Sequence, residues 1–214
     1  GVAGRAFGAQ FTDGRFEGTR FEDCGVAIQG NYQQIVSDCS FVNCGTAIIC
    51  GSRNVLRLES CTFEDNERNW AIPYQHTVAI DCAVDRWDSG AYSPERETFV
   101  ASKRHVVVRV VDENGAPVED ATVKATTVQA PAAADIDVVL AKTGPAGLTP
   151  VDGEDGALLL SELVIRAPEA EGEDPVRTDY AWTIEARKSD RHGRLEGFSP
   201  HENWQTVEIT IAEQ

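Results

Sequence analysis

Apolar positions fall in short runs along the first eighty residues, and the runs recur with a fixed spacing. Phe21-Glu22-Asp23-Cys24-Gly25-Val26-Ala27-Ile28 returns as Phe41-Val42-Asn43-Cys44-Gly45-Thr46-Ala47-Ile48, and in weaker form as Phe63-Glu64-Asp65-Asn66. In this third copy Ala71-Ile72 reads as the Ala-Ile pair, displaced by an insertion that contains Trp70. A second column keeps the same register: Asp38-Cys39-Ser40-Phe41, Ser60-Cys61-Thr62-Phe63 and Asp81-Cys82-Ala83-Val84. Within a period, runs such as Val55-Leu56-Arg57-Leu58-Glu59 and Thr77-Val78-Ala79-Ile80-Asp81 alternate as strands with one buried face do.

Short β-runs between Gly and Asn turns, repeating every twenty to twenty-two residues, have the length of one rung of a right-handed parallel β-helix. Asn43 and Asn66 are placed at turns, where asparagine tolerates a left-handed backbone. Phe21, Phe41 and Phe63 are expected to stack inside as one ladder. Cys24 with Cys44, and Cys39 with Cys61 and Cys82, are expected to form two more. Stacked neighbours in such ladders lie about 4.8 Å apart, and a free cysteine behaves as a small buried hydrophobe. A disulfide remains the alternative, with Cys50 its foremost participant. Upstream, Phe11, Phe16, Phe21 and Val26 recur every five residues; this resembles the pentapeptide-repeat proteins, but the phase ends at Val26.

The pattern changes after Val84. Residues 85 to 104 carry turn formers and charges without repeat phase. The rungs are therefore assigned to residues 1–90, as the end of a longer solenoid, and a cap or connector to 91–104. From His105 the grammar is of separated β-runs: Val106 to Val111, Ala121 to Thr126, Ala157 to Arg166, Tyr180 to Arg187 and Trp204 to Ala212. Long loops are expected at Ala130 to Gly156 and Glu169 to Pro175. Spaced short strands without a helical period predict a β-sandwich over 105–214, so the whole chain is expected to be all-β.

Two resemblances sharpen this. Val110-Val111-Asp112-Glu113-Asn114-Gly115-Ala116-Pro117-Val118-Glu119-Asp120-Ala121-Thr122-Val123 resembles the opening of the carboxypeptidase regulatory-like domains, with Gly153-Glu154-Asp155-Gly156 and Gly197-Phe198 matching later steps. That resemblance implies a transthyretin-like Greek-key sandwich serving as a spacer, stabiliser or adhesive module. Residues 5 to 84 resemble the pectate-lyase-like right-handed parallel β-helix proteins. That group includes polysaccharide lyases, glycoside hydrolases, tailspikes and adhesins, so this resemblance alone leaves the activity open; the combination of such a helix with a regulatory-like sandwich implies an exported protein that handles or displays on glycans.

Charge narrows the partners. Thirty-five acids against nineteen bases give a net charge of −16, and residues 105 to 214 hold 21 acids against 9 bases. Such a surface repels phosphate backbones and anionic lipid surfaces. Arginines outnumber lysines 15 to 4, which suits a high-salt setting or a GC-rich genome. No run of about 18 apolar residues spans a membrane. The start at Gly1 and the absence of methionine point to a processed protein or a piece of a longer one.

Candidate chemistry is sparse. The paired-carboxylate motifs of β-helix hydrolases, Asn-x-Asp, Asp-Asp and Gly-His-Gly, do not occur. His76, His105, His192 and His201 lack a Gly-x-Ser-x-Gly elbow or a cysteine partner, and His76 reads as a surface turn residue. The cysteines lack paired spacing for a metal. Asp38, Glu59 or Ser60, and Asp81 share a column where stacked acids would suit calcium, a hard cation with oxygen ligands. No other cofactor is indicated. Trp70, Tyr74, Trp87 and Tyr92 on turns, with Arg57 and Arg86, are the candidate glycan contacts, and Trp182 is assigned to the sandwich core. The reading favours an extracellular or cell-surface structural and adhesive protein that displays on or binds polysaccharide or other surface proteins, non-catalytic in this segment. A polysaccharide lyase or glycoside hydrolase whose catalytic rungs lie upstream or sit on the face carrying Asp38, Asp81 and Arg57, and a filament self-associating through open β-helix ends, are the alternatives.

Overall fold

A computed structural model describes residues 14–30, 34–50, 56–71, 76–87, 90–91, 99–127, 138–149, 157–167 and 173–213. Among them all regular structure is β-strand, with no helix. The chain divides into two compact units, one of residues 1–102 and 163–178, the other of 103–162 and 179–214. The division falls at Ser102, and residues 163–178, expected in the sandwich, belong to the first unit.

The first unit is built from coils of three short strands. The first coil has β1 (Gly14–Glu17), β2 (Arg20–Glu22) and β3 (Val26–Gly30). The second has β4 (Gln34–Ser37), β5 (Ser40–Val42) and β6 (Thr46–Cys50), and the third β7 (Leu56–Glu59), β8 (Thr62–Glu64) and β9 (Arg68–Ala71). The fourth has β10 (Thr77–Ile80), β11 (Ala83–Val84) and β12 (Gly90–Ala91). Each strand pairs in parallel with its counterpart one coil on, giving the orders β1-β4-β7-β10, β2-β5-β8-β11 and β3-β6-β9-β12. The first of these continues through β13 (Phe99–Val111), β16 (Leu158–Arg166) and β17 (Val176–Asp179), whose residues 99–102, 163–166 and 176–178 lie in this unit. Residues 99–104, expected as connector, are thus already strand.

The corners explain the acid columns. Gly18, Asp38, Ser60 and Asp81 follow the first strand of each coil with φ of +60°, +53°, +51° and +52°. Asp23, Asn43 and Asp65 follow the second strand with φ of +54°, +51° and +53°. A side chain with Cβ pays for a left-handed backbone, and Asp and Asn pay least because a short polar group bonds locally. Asp38 and Asp81 are therefore selected by backbone conformation. Gly45 is fixed for another reason: a Cβ there would stand 2.7 Å from the Gly25 carbonyl oxygen of the preceding coil.

The interior is a set of ladders. Phe21, Phe41 and Phe63 stack with centroids 5.1 and 4.9 Å apart and planes within 5° and 16° of parallel. Phe16 meets Phe21 edge-on at 6.4 Å. The register pairs Ile48 with both Ile28 and Trp70, so Asn69-Trp70 continues the Ala-Ile column and no insertion precedes it. Asn66 also differs from expectation. It is fully buried in the column of Cys24 and Cys44, where its Oδ1 accepts from the Cys44 N–H at 2.9 Å and its Nδ2 donates to Phe41 O at 3.1 Å and Asn69 Oδ1 at 3.0 Å.

The second unit contains β14 (Thr122–Thr127), β15 (Val138–Lys142), β18 (Trp182–Lys188), β19 (Arg191–Phe198), β20 (Gln205–Thr210) and β21 (Ala212–Glu213), with the remaining parts of β13, β16 and β17. A five-stranded antiparallel sheet runs β15-β14-β18-β19-β21, while β13 pairs in parallel with β20. The Asp-x-x-Gly phrase is an Asx turn: Asp112 Oδ1 accepts from the N–H groups of Asn114 and Ala116, both at 2.9 Å, and Gly115 takes φ +78°. Trp182 is core, its Nε1–H donating to Ser161 O at 2.9 Å. Gly153 to Gly156 lie outside the described residues.

Candidate functional site

The cysteine columns are structural in their local chemistry. Each thiol follows a left-handed corner and donates back across it to the carbonyl two residues earlier: Cys39 to Ser37 O at 3.2 Å, Cys61 to Glu59 O at 3.3 Å, Cys82 to Ile80 O at 3.4 Å. Cys24 and Cys44 do the same to Glu22 O and Val42 O, both at 3.5 Å. Thr19 takes the first column in the first coil and makes the same bond, Oγ1 to Glu17 O at 3.1 Å. A threonine hydroxyl and a cysteine thiol thus make the same bond in this column. All five described cysteines are free thiols; the Cys50 side chain lies outside the described set.

Burial pushes the Cys39 and Cys44 thiols up, disfavouring the thiolate, whereas the hydrogen bond with Cys82 draws Cys61 down. Only a thiolate is an effective nucleophile. In the native protein, iodoacetamide is expected to label the half-buried Cys24 first among the five described cysteines and to leave Cys39 and Cys44 unmodified until denaturant is added. Peptide mass mapping reads the order; prompt native labelling of Cys44 would contradict the buried ladder.

The candidate glycan contacts are dispersed. Trp70 is 0% exposed, wedged between Phe63 at 5.8 Å and Trp87 at 5.8 Å; it fills the core and presents no face to a sugar, because the ladder register aims it inward. Arg57 lies on the outer face of β7, ion-paired with Glu59. Tyr74 and Tyr92 lie outside the described residues. His76 is half-buried, stacked on Phe99 at 4.2 Å. Of the four described candidates, Arg86 and Trp87 line one cleft, with Trp70 packed behind Trp87.

Arg86 stands between two concavities of the first unit. One, of about 670 Å³, is an open groove lined by Asn43, Gly45, Asp65, Glu67, Asp85 and Arg86. The other, of about 270 Å³, is lined by Asp85, Arg86, Trp87, Ile165, Pro175 and Arg177. The wall between them is held by hydrogen bonds. Asp85 Oδ2 accepts from the Asp65 N–H at 2.8 Å and its Oδ1 from Asn69 Nδ2 at 3.1 Å. Asn69 Nδ2 also donates to Arg86 O at 2.9 Å, and the Arg86 guanidinium donates to Asn66 O and, at 3.4 Å, to Glu67 O. Buried asparagines thus anchor the segment that carries Arg86 and Trp87.

In the smaller cleft a half-buried indole backed by Trp70 borders two guanidinium groups and a carboxylate. An aromatic face with a few convergent polar groups is the usual composition of a small-ligand site. Arg177 was not legible as a member, since it enters from a segment ninety residues away. Among the described residues no group of three or more His, Cys, Asp or Glu side chains is placed to hold a metal ion, and no helix is long and apolar enough to cross a membrane. The chain matches no protein-family model, no curated protein and no solved structure.

Proposed function

We propose that this chain is a structural, polysaccharide-binding protein of the cell surface or extracellular space, and that its binding is not coupled to catalysis. In this reading the four coils form a right-handed parallel β-helix of pectate-lyase-like type. The second unit is a Greek-key sandwich of the carboxypeptidase regulatory-like type. The parallel register of successive coils supports the first assignment, and the Asx turn at Asp112 with the β13–β20 pairing supports the second.

The observation that carries the functional reading is the cleft of Trp87, Arg86, Arg177 and Asp85. A pyranose ring presents an apolar C–H face that stacks on an indole, and its hydroxyls accept from guanidinium groups and donate to a carboxylate. The net charge of −16 opposes polyanions at long range, so the chain's ligand is an uncharged polysaccharide. The enzymatic alternative would draw on Asp65, Glu67 and Asp85 of the larger groove. Both oxygens of Asp85 are already engaged in holding the coil, which favours binding over acid–base chemistry. Incubation with xylan, glucomannan and polygalacturonate separates the two. Retention in a xylan or glucomannan gel without new reducing ends or unsaturated products is expected. Turnover of any of the three polymers would overturn the non-catalytic reading.

A further inference from the structure

The second unit displays an aromatic platform of its own. Trp204 is 54% exposed and takes φ +56°, a left-handed conformation that is an outlier for a bulky side chain. Such strain persists only where the surroundings impose it, and it collects at ligand sites. Here the surroundings are identifiable. Val106 pairs with Gln205 across β13 and β20, which sets His105 beside Trp204, and the two rings stack 4.7 Å apart with planes 12° from parallel. Beneath the same turn, the buried Arg104 donates to the Asn203 side chain and, through Nε at 2.8 Å, to Glu162. The turn is therefore anchored from within while one face of the indole is backed and the rest faces solvent.

From this arrangement we infer that Trp204, backed by His105, is a second glycan-stacking site, taking the C–H face of a pyranose ring in an uncharged chain. The inference rests on the polysaccharide reading above and adds a site independent of the Trp87 cleft. The residues of this unit, 103–162 and 179–214, hold 17 acids against 9 bases, which disfavours polyanions at its surface. A compact cation is best held where several aromatic faces surround it; a single flat platform fits a flat ring instead.

Tryptophan emission tests this in the whole chain. In a Trp87→Phe variant, which keeps an aromatic ring against Trp70, Trp204 is the exposed indole, since Trp70 and Trp182 are buried. Cellohexaose and xylohexaose are titrated into this variant and into Trp87→Phe/Trp204→Phe. The inference expects a saturable emission change in the first, its loss in the second together with at least tenfold weaker binding by isothermal titration calorimetry, and a several-fold weakening in Trp87→Phe/His105→Ala. No saturable change in Trp87→Phe would overturn it. So would an emission change with tetramethylammonium and none with the sugars. Should wild-type protein still bind these sugars through Trp87, the polysaccharide reading would stand and only the second site would fall.

Discussion

Replacing Phe41 with alanine is expected to destabilise the first unit by about 3–5 kcal/mol, the cost of deleting a fully buried aromatic ring from a packed core. The ring is 0% exposed and lies between Phe21 and Phe63, so the substitution removes both stacking contacts at once. Each such contact contributes about 0.5–1.5 kcal/mol beyond its buried area. Neighbouring coils are tied by in-register hydrogen bonds and cannot slide together to fill the gap. Equilibrium urea unfolding, followed by far-ultraviolet circular dichroism, reads the loss as a lower midpoint. A change below about 1 kcal/mol would mean that Phe41 is not an interior rung, because exposed substitutions typically fall in that range. Phe41→Leu, which refills most of the volume, is expected to recover a large part of the loss.

Arg104→Ala is expected to be comparably damaging in the second unit, about 3–5 kcal/mol, because it breaks a largely enclosed ion pair by removing one member. The pair is almost enclosed, with side-chain exposures of 8% and 17%. Replacing both partners, Arg104→Leu with Glu162→Leu, is expected to restore most of the stability, since buried ion pairs often exchange for apolar residues at little net cost. The single and double variants together form a cycle read from the same unfolding curves. Equal losses in the single and double variants would show that Arg104 contributes through packing alone. In Arg104→Ala the hydrogen bond from Arg104 to the Asn203 side chain is also lost, and acrylamide quenching of Trp204 is expected to rise.

The coil architecture was legible because the repeat acts on both sides of the chain at once. Phe21, Phe41 and Phe63 declared the interior, while Asp38, Asp81 and Asn43 declared the corners, where a left-handed backbone favours a short polar side chain. The third coil departs from the repeat because polar residues occupy apolar columns. Asn66 and Asn69 replace a cysteine and an alanine, and they can do so only because they satisfy each other, the Cys44 N–H and Asp85. Periodicity cannot anticipate such mutual satisfaction, so Trp70 was placed on a turn when it is the rung above Ile48.

The second unit was less legible. β19 reads Arg191-His192-Gly193-Arg194-Leu195-Glu196-Gly197-Phe198, with little apolar alternation. It is held by pairing with β18 and β21 more than by burial. The candidate site followed the same division. Arg86 and Trp87 were visible as turn residues next to the last coil. Arg177 depends on a long-range approach of 163–178 to the first unit, and Trp204 was absorbed into a predicted strand because nothing local signals its positive φ.

The central claim is that the Arg86–Trp87–Arg177 cleft binds an uncharged polysaccharide, and affinity electrophoresis measures it most directly. Wild-type chain, Trp87→Ala and Arg86→Gln/Arg177→Gln are run in native gels with and without xylan or glucomannan, with polygalacturonate as the charged control. The account predicts retardation of the wild type by a neutral polymer, marked loss of retardation in both variants with unchanged circular dichroism, and none with polygalacturonate. Unretarded wild-type protein in both neutral polymers, or cleft variants retarded as strongly as wild type, would contradict it.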